Sequence, residues 1–223
     1  MQGDAVPANN PADITIVDIA GADMVRATSK VHLEAFSGYL NARLGVGYAS
    51  ALIDWFAREK EAIAIAAIDH DHRVIGYAIG APSHLVRRQR QNMFWVTARS
   101  IIVRPWLLFD MRLWEVGGIR LRNIITLSDV RPLSDLPEPA MSLVGMGVTL
   151  SHRKTGVGLR LLRTFEEKAR ALKMRSMQLW VNEDKIATRR LYEKCGWRLC
   201  PDALGGKGVS KYVRLLDHQG IRT

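Results

Sequence analysis

Cysteine is nearly absent from the 223 residues, with Cys195 and Cys200 the only two. A C-x4-C pair without a second Cys pair or a His pair at zinc-site spacing cannot complete a zinc set, so two reduced thiols and no metal are expected. The sequence also lacks the run of about 18 unbroken apolar residues that a membrane-spanning helix needs. Its first residues, Met1 to Pro7, show no basic stretch followed by an apolar run, so no secretory signal is expected and the cytoplasm is the default location. No Gly, Pro or Ser tract is long enough to prevent packing. With 48% hydrophobic and 24% charged residues, the chain reads as globular with a substantial core. No internal repeat is found.

Positive charge, by contrast, is in excess. The formal net charge is +10, and residues 84 to 122 hold eight Arg and no Lys against only Asp110 and Glu115, so over half of the excess sits in one segment. Trp95, Trp106 and Trp114 lie among apolar residues there, which predicts two amphipathic helices. Such a basic face suits an acidic or phosphorylated ligand, or an anionic membrane surface. Nucleic acid ranks behind both.

Periodicity supplies the elements. Residues 14 to 19 alternate weakly, as a strand does, and a helix follows Gly21-Ala22-Asp23 until Gly45 and Gly47 interrupt the pattern. A second helix is expected over 48 to 58. Two apolar runs, 62 to 68 and 74 to 79, are joined by Asp69-His70-Asp71-His72-Arg73, which reads as a hairpin turn rather than a metal site. Residues 123 to 140, with Pro132, Pro137 and Pro139, read as an irregular connection. From 141 the order is strand, helix, strand, helix, strand, strand. That alternation predicts an α/β fold, a mixed sheet with helices on its faces.

One junction carries chemistry. A strand ending at Leu150 is followed by Arg153-Lys154-Thr155-Gly156-Val157-Gly158 and a helix whose apolar stripe is Leu161, Leu162, Phe165, Ala169 and Leu172. Glycines let backbone approach a diphosphate closely, the first N–H groups of a helix have no intrahelical acceptor, and Arg153 and Lys154 add full charges. Neither the Walker A pattern nor the dinucleotide fingerprint fits.

Residues 143 to 158 resemble the acetyl-coenzyme A motif of the GNAT superfamily of N-acetyltransferases. Leu179-Trp180-Val181 and Leu191-Tyr192-Glu193-Lys194-Cys195-Gly196-Trp197 resemble its next motif. The likeness is strong over 141 to 199, weak over 14 to 81 and absent over 84 to 140. It implies one GNAT domain over 1 to 223: a central mixed, mostly antiparallel sheet flanked by helices, with the basic helical insertion and irregular connection of 84 to 140 before the cofactor-binding strand. It implies that Met146 and Val148 offer backbone to the pantetheine arm of acetyl-CoA, that Arg153 through Leu159 hold the diphosphate, and that Tyr192 protonates the leaving thiolate. Seven residues before Tyr192 the family commonly has Asn; here Lys185 stands there, and Thr188 replaces a small Ala.

The expected reaction is direct acetyl transfer to a primary amine of a small molecule, an amino sugar among them, or of a protein, without an acetyl-enzyme. Cys195 has no His nearby in sequence to activate it as a nucleophile. The strand 141 to 150 has no Asp or Glu, which leaves Glu34, Glu138 or a water chain as base. A silent acetyl-CoA sensor and a membrane or nucleic-acid binder are the alternatives, and a homodimer is compatible with either.

Overall fold

A computed structural model describes residues 14–37, 44–86, 89, 136–200 and 208–216. The helices expected in the Arg-rich stretch, and most of the connection 123–140, lie outside the described residues.

Strand β1 (Thr15–Asp18) leads into α1 (Gly21–Ala35), which packs on α2 (Gly45–Arg58). Here the expectation is corrected. Gly45, at φ 85°, opens α2 instead of interrupting a pattern, and Gly47 lies within its first turn. Burial of Leu44, Tyr48, Leu52 and Phe56 outweighs the weak helix propensity of the two glycines.

Strands β2 (Ile63–Ile68) and β3 (Val74–Pro82) form the expected hairpin. Its turn is held by Asp69, whose Oδ1 accepts the N–H groups of Asp71 at 3.0 Å and Arg73 at 2.8 Å. Then follow β4 (Ala140–Val148), a 3-10 turn (Leu150–His152), α3 (Val157–Ala171), β5 (Ser176–Asn182), α4 (Ile186–Lys194), β6 (Arg198–Cys200) and β7 (Val209–Leu215).

The seven strands make one sheet in the order β1-β2-β3-β4-β5-β7-β6. Every neighbouring pair is antiparallel except β4 and β5, which run parallel. Both faces are covered at the centre. Ile63, Ile65 and Ala67 join the core under α3 and α4, while Ala64 and Ala66 join the one under α1 and α2. A strand buried on both sides loses its apolar–polar alternation, which is why β2 reads as a continuous apolar run.

Helix α3 buries Leu161, Leu162 and Phe165 completely, and Arg163 and Glu167 stay outside. Three such side chains contribute roughly 5–9 kcal/mol of burial. They hold the start of α3 at a fixed place beside β4.

Candidate functional site

The parallel pair β4 and β5 separates partway along. Its register runs only from Ala140 opposite Ser176 to Leu143 opposite Leu179. Beyond that point β4 stays paired with β3 as far as Val148 opposite Gly76, and β5 stays paired with β7 as far as Asn182 opposite Val209. The two strands therefore fork, and from Val144 and Trp180 onward their facing edges carry backbone groups without a strand partner among the described residues. A bulge marks the branch point. Ile79 opposes Gly145 and Gly80 opposes Leu143, so Val144 is the extra residue, and an extra residue bends its strand.

The open mouth of the fork leads to the start of α3. Thr149 keeps the end of β4 on β3 through Ile75 O, reached by its N–H at 2.9 Å and its hydroxyl at 3.2 Å. The 3-10 turn then carries the chain across to α3. Lys154 at φ 67° and Gly156 at φ 90° both occupy the left-handed region, a conformation that glycine accepts freely and lysine at a cost of about 1 kcal/mol. No side chain caps α3, and no acidic residue stands in its first turn. The Thr155 hydroxyl points back, donating to His152 O at 2.7 Å. Arg160 N–H is the first to find an intrahelical acceptor, Gly156 O at 3.0 Å. The N–H groups of Val157, Gly158 and Leu159 precede it and have none. Arg153, Lys154 and Gly156 are exposed beside them.

These parts meet in one place. A side chain added at Gly158 would lie 3.6 Å from Leu191 and 3.9 Å from Val148, so α3, β4 and α4 converge where the fork opens. Met146 and Val148 pack against the same core as Val157 and Tyr192. The strand end at Met146 and Val148, the start of α3 and the helix that carries Tyr192 thus meet where the fork opens. A free strand edge offers backbone groups to amides, and bare helix N–H groups beside two cations offer donors and charge to an anion.

Tyr192 is buried, its ring 5.8 Å from that of Trp197 and 6.2 Å from that of Tyr212. Its hydroxyl takes no hydrogen-bond partner among the described residues. Burial, with a smaller contribution from Cys195, pushes its pKa well above the ordinary phenol value, so it stays protonated at neutral pH. A polar network that sequence reasoning missed holds this corner. Glu166 Oε1 accepts Trp197 Nε1 at 3.0 Å and Arg214 Nη1 at 2.7 Å, and Arg214 also reaches Cys195 O. Burial pushes the Glu166 carboxyl up, opposed by the Trp197 hydrogen bond and the Arg214 charge. Below it Arg189 Nε donates to Tyr212 Oη at 3.0 Å, and Tyr212 donates to Glu193 at 2.7 Å.

Both carboxylates considered as bases have backbone partners. Glu34 Oε1 accepts Leu150 N–H at 2.7 Å, tying α1 to the end of β4, and Glu138 Oε2 accepts Ala140 N–H at 2.7 Å. Glu138 stands at the paired end of β4, several residues from the free edge. Lys185 precedes α4 without capping it and pairs with Asp184 at 3.2 Å. Burial raises the Cys195 thiol, the opposite of what a nucleophile needs. Among the described residues no group of three His, Cys, Asp or Glu is placed to hold a metal, and no helix is long and apolar enough to cross a membrane.

Residues 114–197 match the acetyltransferase (GNAT) family model, the span that contains β4, α3, β5 and α4. No curated protein matches the chain in sequence. Among solved structures, a GCN5-related N-acetyltransferase from Kribbella flavida is similar at a TM-score of 0.59 and 18% identity, covering 93% of this chain and 100% of that one. The yncA protein of Salmonella typhimurium, solved with its cofactor acetyl-CoA, is similar at 0.57 and 14%, covering 94% and 97%. Ard1 from Thermoplasma volcanium is similar at 0.54 and 15%, covering 92% and 98%. At these identities the structures speak to the fold, and the fold they share is the one the sequence motifs implied.

Proposed function

The fold and the matched segment are those of GNAT acetyltransferases, and from that premise we propose that this chain, as a single domain over 1–223, transfers acetyl from acetyl-CoA directly to a primary amine of a small molecule or a protein. The observation that carries this reading is the fork whose mouth meets an uncapped helix start. Arg153 through Leu159 would bind the diphosphate, the first three N–H groups of α3 donating and Arg153 and Lys154 supplying charge. The free edge of β4 near Met146 and Val148 would pair with the pantetheine amides as a third strand would.

Acetyl-CoA supplies the activated acetyl group as a thioester. Backbone N–H groups at the free edge of β4 donate to its carbonyl oxygen, and donors fixed by the sheet need no reorganisation as charge grows there. The amine nitrogen bonds to the acetyl carbon as the carbon–sulfur bond breaks. Tyr192, kept protonated by burial, gives its proton to the departing sulfur.

The test is thiol release with a panel of amines, amino sugars and peptides, confirmed by a one-acetyl mass gain on the acceptor. Tyr192→Phe is expected to lower kcat by about 10²-fold while leaving acetyl-CoA affinity unchanged. An unchanged kcat would remove Tyr192 as the acid. Cofactor binding with no accelerated release on any acceptor would turn the reading into that of an acetyl-CoA sensor.

A further inference from the structure

The fork has two faces. Met146, Val148 and Tyr192 pack toward α3 and α4. Leu179 also lies on that side, so Gln178 and Trp180, its neighbours along β5, project from the other. A nucleophile attacks a carbonyl from above or below its plane. With the body of the cofactor on one face, the opposite face is the remaining approach among the described residues.

On that face, at the closed end of the fork, Ser83, Ser142 and Gln178 form a polar cluster. The Ser83 hydroxyl donates its single proton to Ala140 O at 3.0 Å. Gln178 Nε2 lies 2.8 Å from Ser83 Oγ and 3.0 Å from Ser142 Oγ, and the two hydroxyls are 3.1 Å apart. With the Ser83 proton given to Ala140 O, the 2.8 Å contact receives its proton from Gln178. Turning the amide over would set two oxygens face to face with no proton between them. Ser142 then donates to Ser83, every proton of the cluster has a place, and the Gln178 amide oxygen alone lacks a donor among the described residues.

Beside it Trp180 is 45% exposed, and the buried Lys211 holds its ammonium 5.8 Å from the centre of the indole. Neither β4 nor β5 contains Asp or Glu. We propose that Gln178 and Trp180 form the acceptor subsite, in which the Gln178 amide oxygen receives an N–H of an uncharged primary amine whose aromatic or apolar body lies on Trp180. This rests on the reading of the fork as the thioester site. An arriving ammonium would meet Lys211 and find no carboxylate on either strand of the fork, Glu34 on α1 being held by Leu150 N–H at 2.7 Å, whereas a weakly basic aromatic amine is already neutral and needs no base before it attacks. The protons balance through solvent: nitrogen gains the acetyl carbon and releases one proton to water, sulfur loses the carbon and takes the Tyr192 proton, and water returns one proton to Tyr192.

Aniline and benzylamine share a ring but differ in charge at neutral pH, and they make the test. Wild-type protein is expected to favour aniline in kcat/KM by roughly 10-fold or more. Gln178→Leu should raise the aniline KM about 10-fold with acetyl-CoA affinity unchanged, and Gln178→Glu should shift preference toward benzylamine. A second readout needs no turnover. The indole N–H resonance of Trp180, assigned by its loss in Trp180→Phe, should shift saturably with aniline in the absence of acetyl-CoA, and tenfold less readily in Gln178→Leu. Turnover that is indifferent to Gln178→Leu, or that favours benzylamine, overturns the subsite while the transferase reading stands. Saturable, Gln178-dependent binding with no thiol release supports the subsite and sinks the transferase reading. Absence of both binding and release overturns the two together.

Discussion

His32 is 4% exposed on α1, and its Nδ1 lies 2.6 Å from the hydroxyl of the fully buried Tyr77. If Tyr77 donates, the proton of the ring sits on Nε2, which has no partner among the described residues; the other tautomer would orphan both Nε2 and the Tyr77 proton. Burial lowers the His32 pKa from 6.5 to about 4, with no charged neighbour contributing. A group that is harder to protonate when folded makes the unfolded chain the better proton binder between those values, so stability is full above about pH 6.5 and falls as pH drops toward 4. At about 1.4 kcal/mol per pKa unit the loss amounts to about 3 kcal/mol. Urea unfolding at pH 7 and pH 4.5 checks this. The wild type should lose more stability between the two than His32→Gln does, and parallel losses would show that His32 does not titrate in the fold.

Among the elements, α3 approaches β3 where Gly80 leaves no room for a side chain. A methyl group there would lie 2.3 Å from Ser142 O and 2.5 Å from Phe165 Cζ, one a backbone atom and the other the tip of a ring locked in the core. Gly80→Ala should therefore cost about 2–3 kcal/mol, read as a lower urea midpoint, whereas an unchanged midpoint would mean that helix and strand part easily. The elements themselves were legible because their signals are local: the stripe of α3, the turn residues 69 to 73, the run 141 to 150. Gly45 and Gly47 misled because the packing that overrides them comes from distant Leu52 and Phe56 and from α1. Glu166 was invisible for the same reason. Its position beside the apolar stripe says nothing of Trp197 and Arg214, which reach it from 31 and 48 residues away.

For the molecule as a whole, the fork depends on where pairing stops, at Leu143 with Leu179 and at Val148 with Gly76. No local pattern encodes a register between strands so far apart, so the motif pointed only to the face proposed for the cofactor, while the opposite face, with Gln178 and Ser83, stayed hidden. The net charge of +10 adds an ambiguity of its own, since a basic protein attracts any polyanion. Site and surface can be separated by heat. A ligand that binds only the folded chain, present at one hundred times its Kd, adds about 2.7 kcal/mol, which for a chain of this size raises Tm by roughly 5–10 °C. Acetyl-CoA should produce that rise at physiological salt, and inorganic triphosphate at equal concentration should not, because it cannot occupy the free edge of β4. Replacing Arg153 and Lys154 together by Ala should reduce the acetyl-CoA shift without abolishing it, since both side chains are exposed and screened while the helix N–H groups remain. Equal shifts from the two ligands would mean that the phosphate end alone carries the binding and that the free edge of β4 adds nothing.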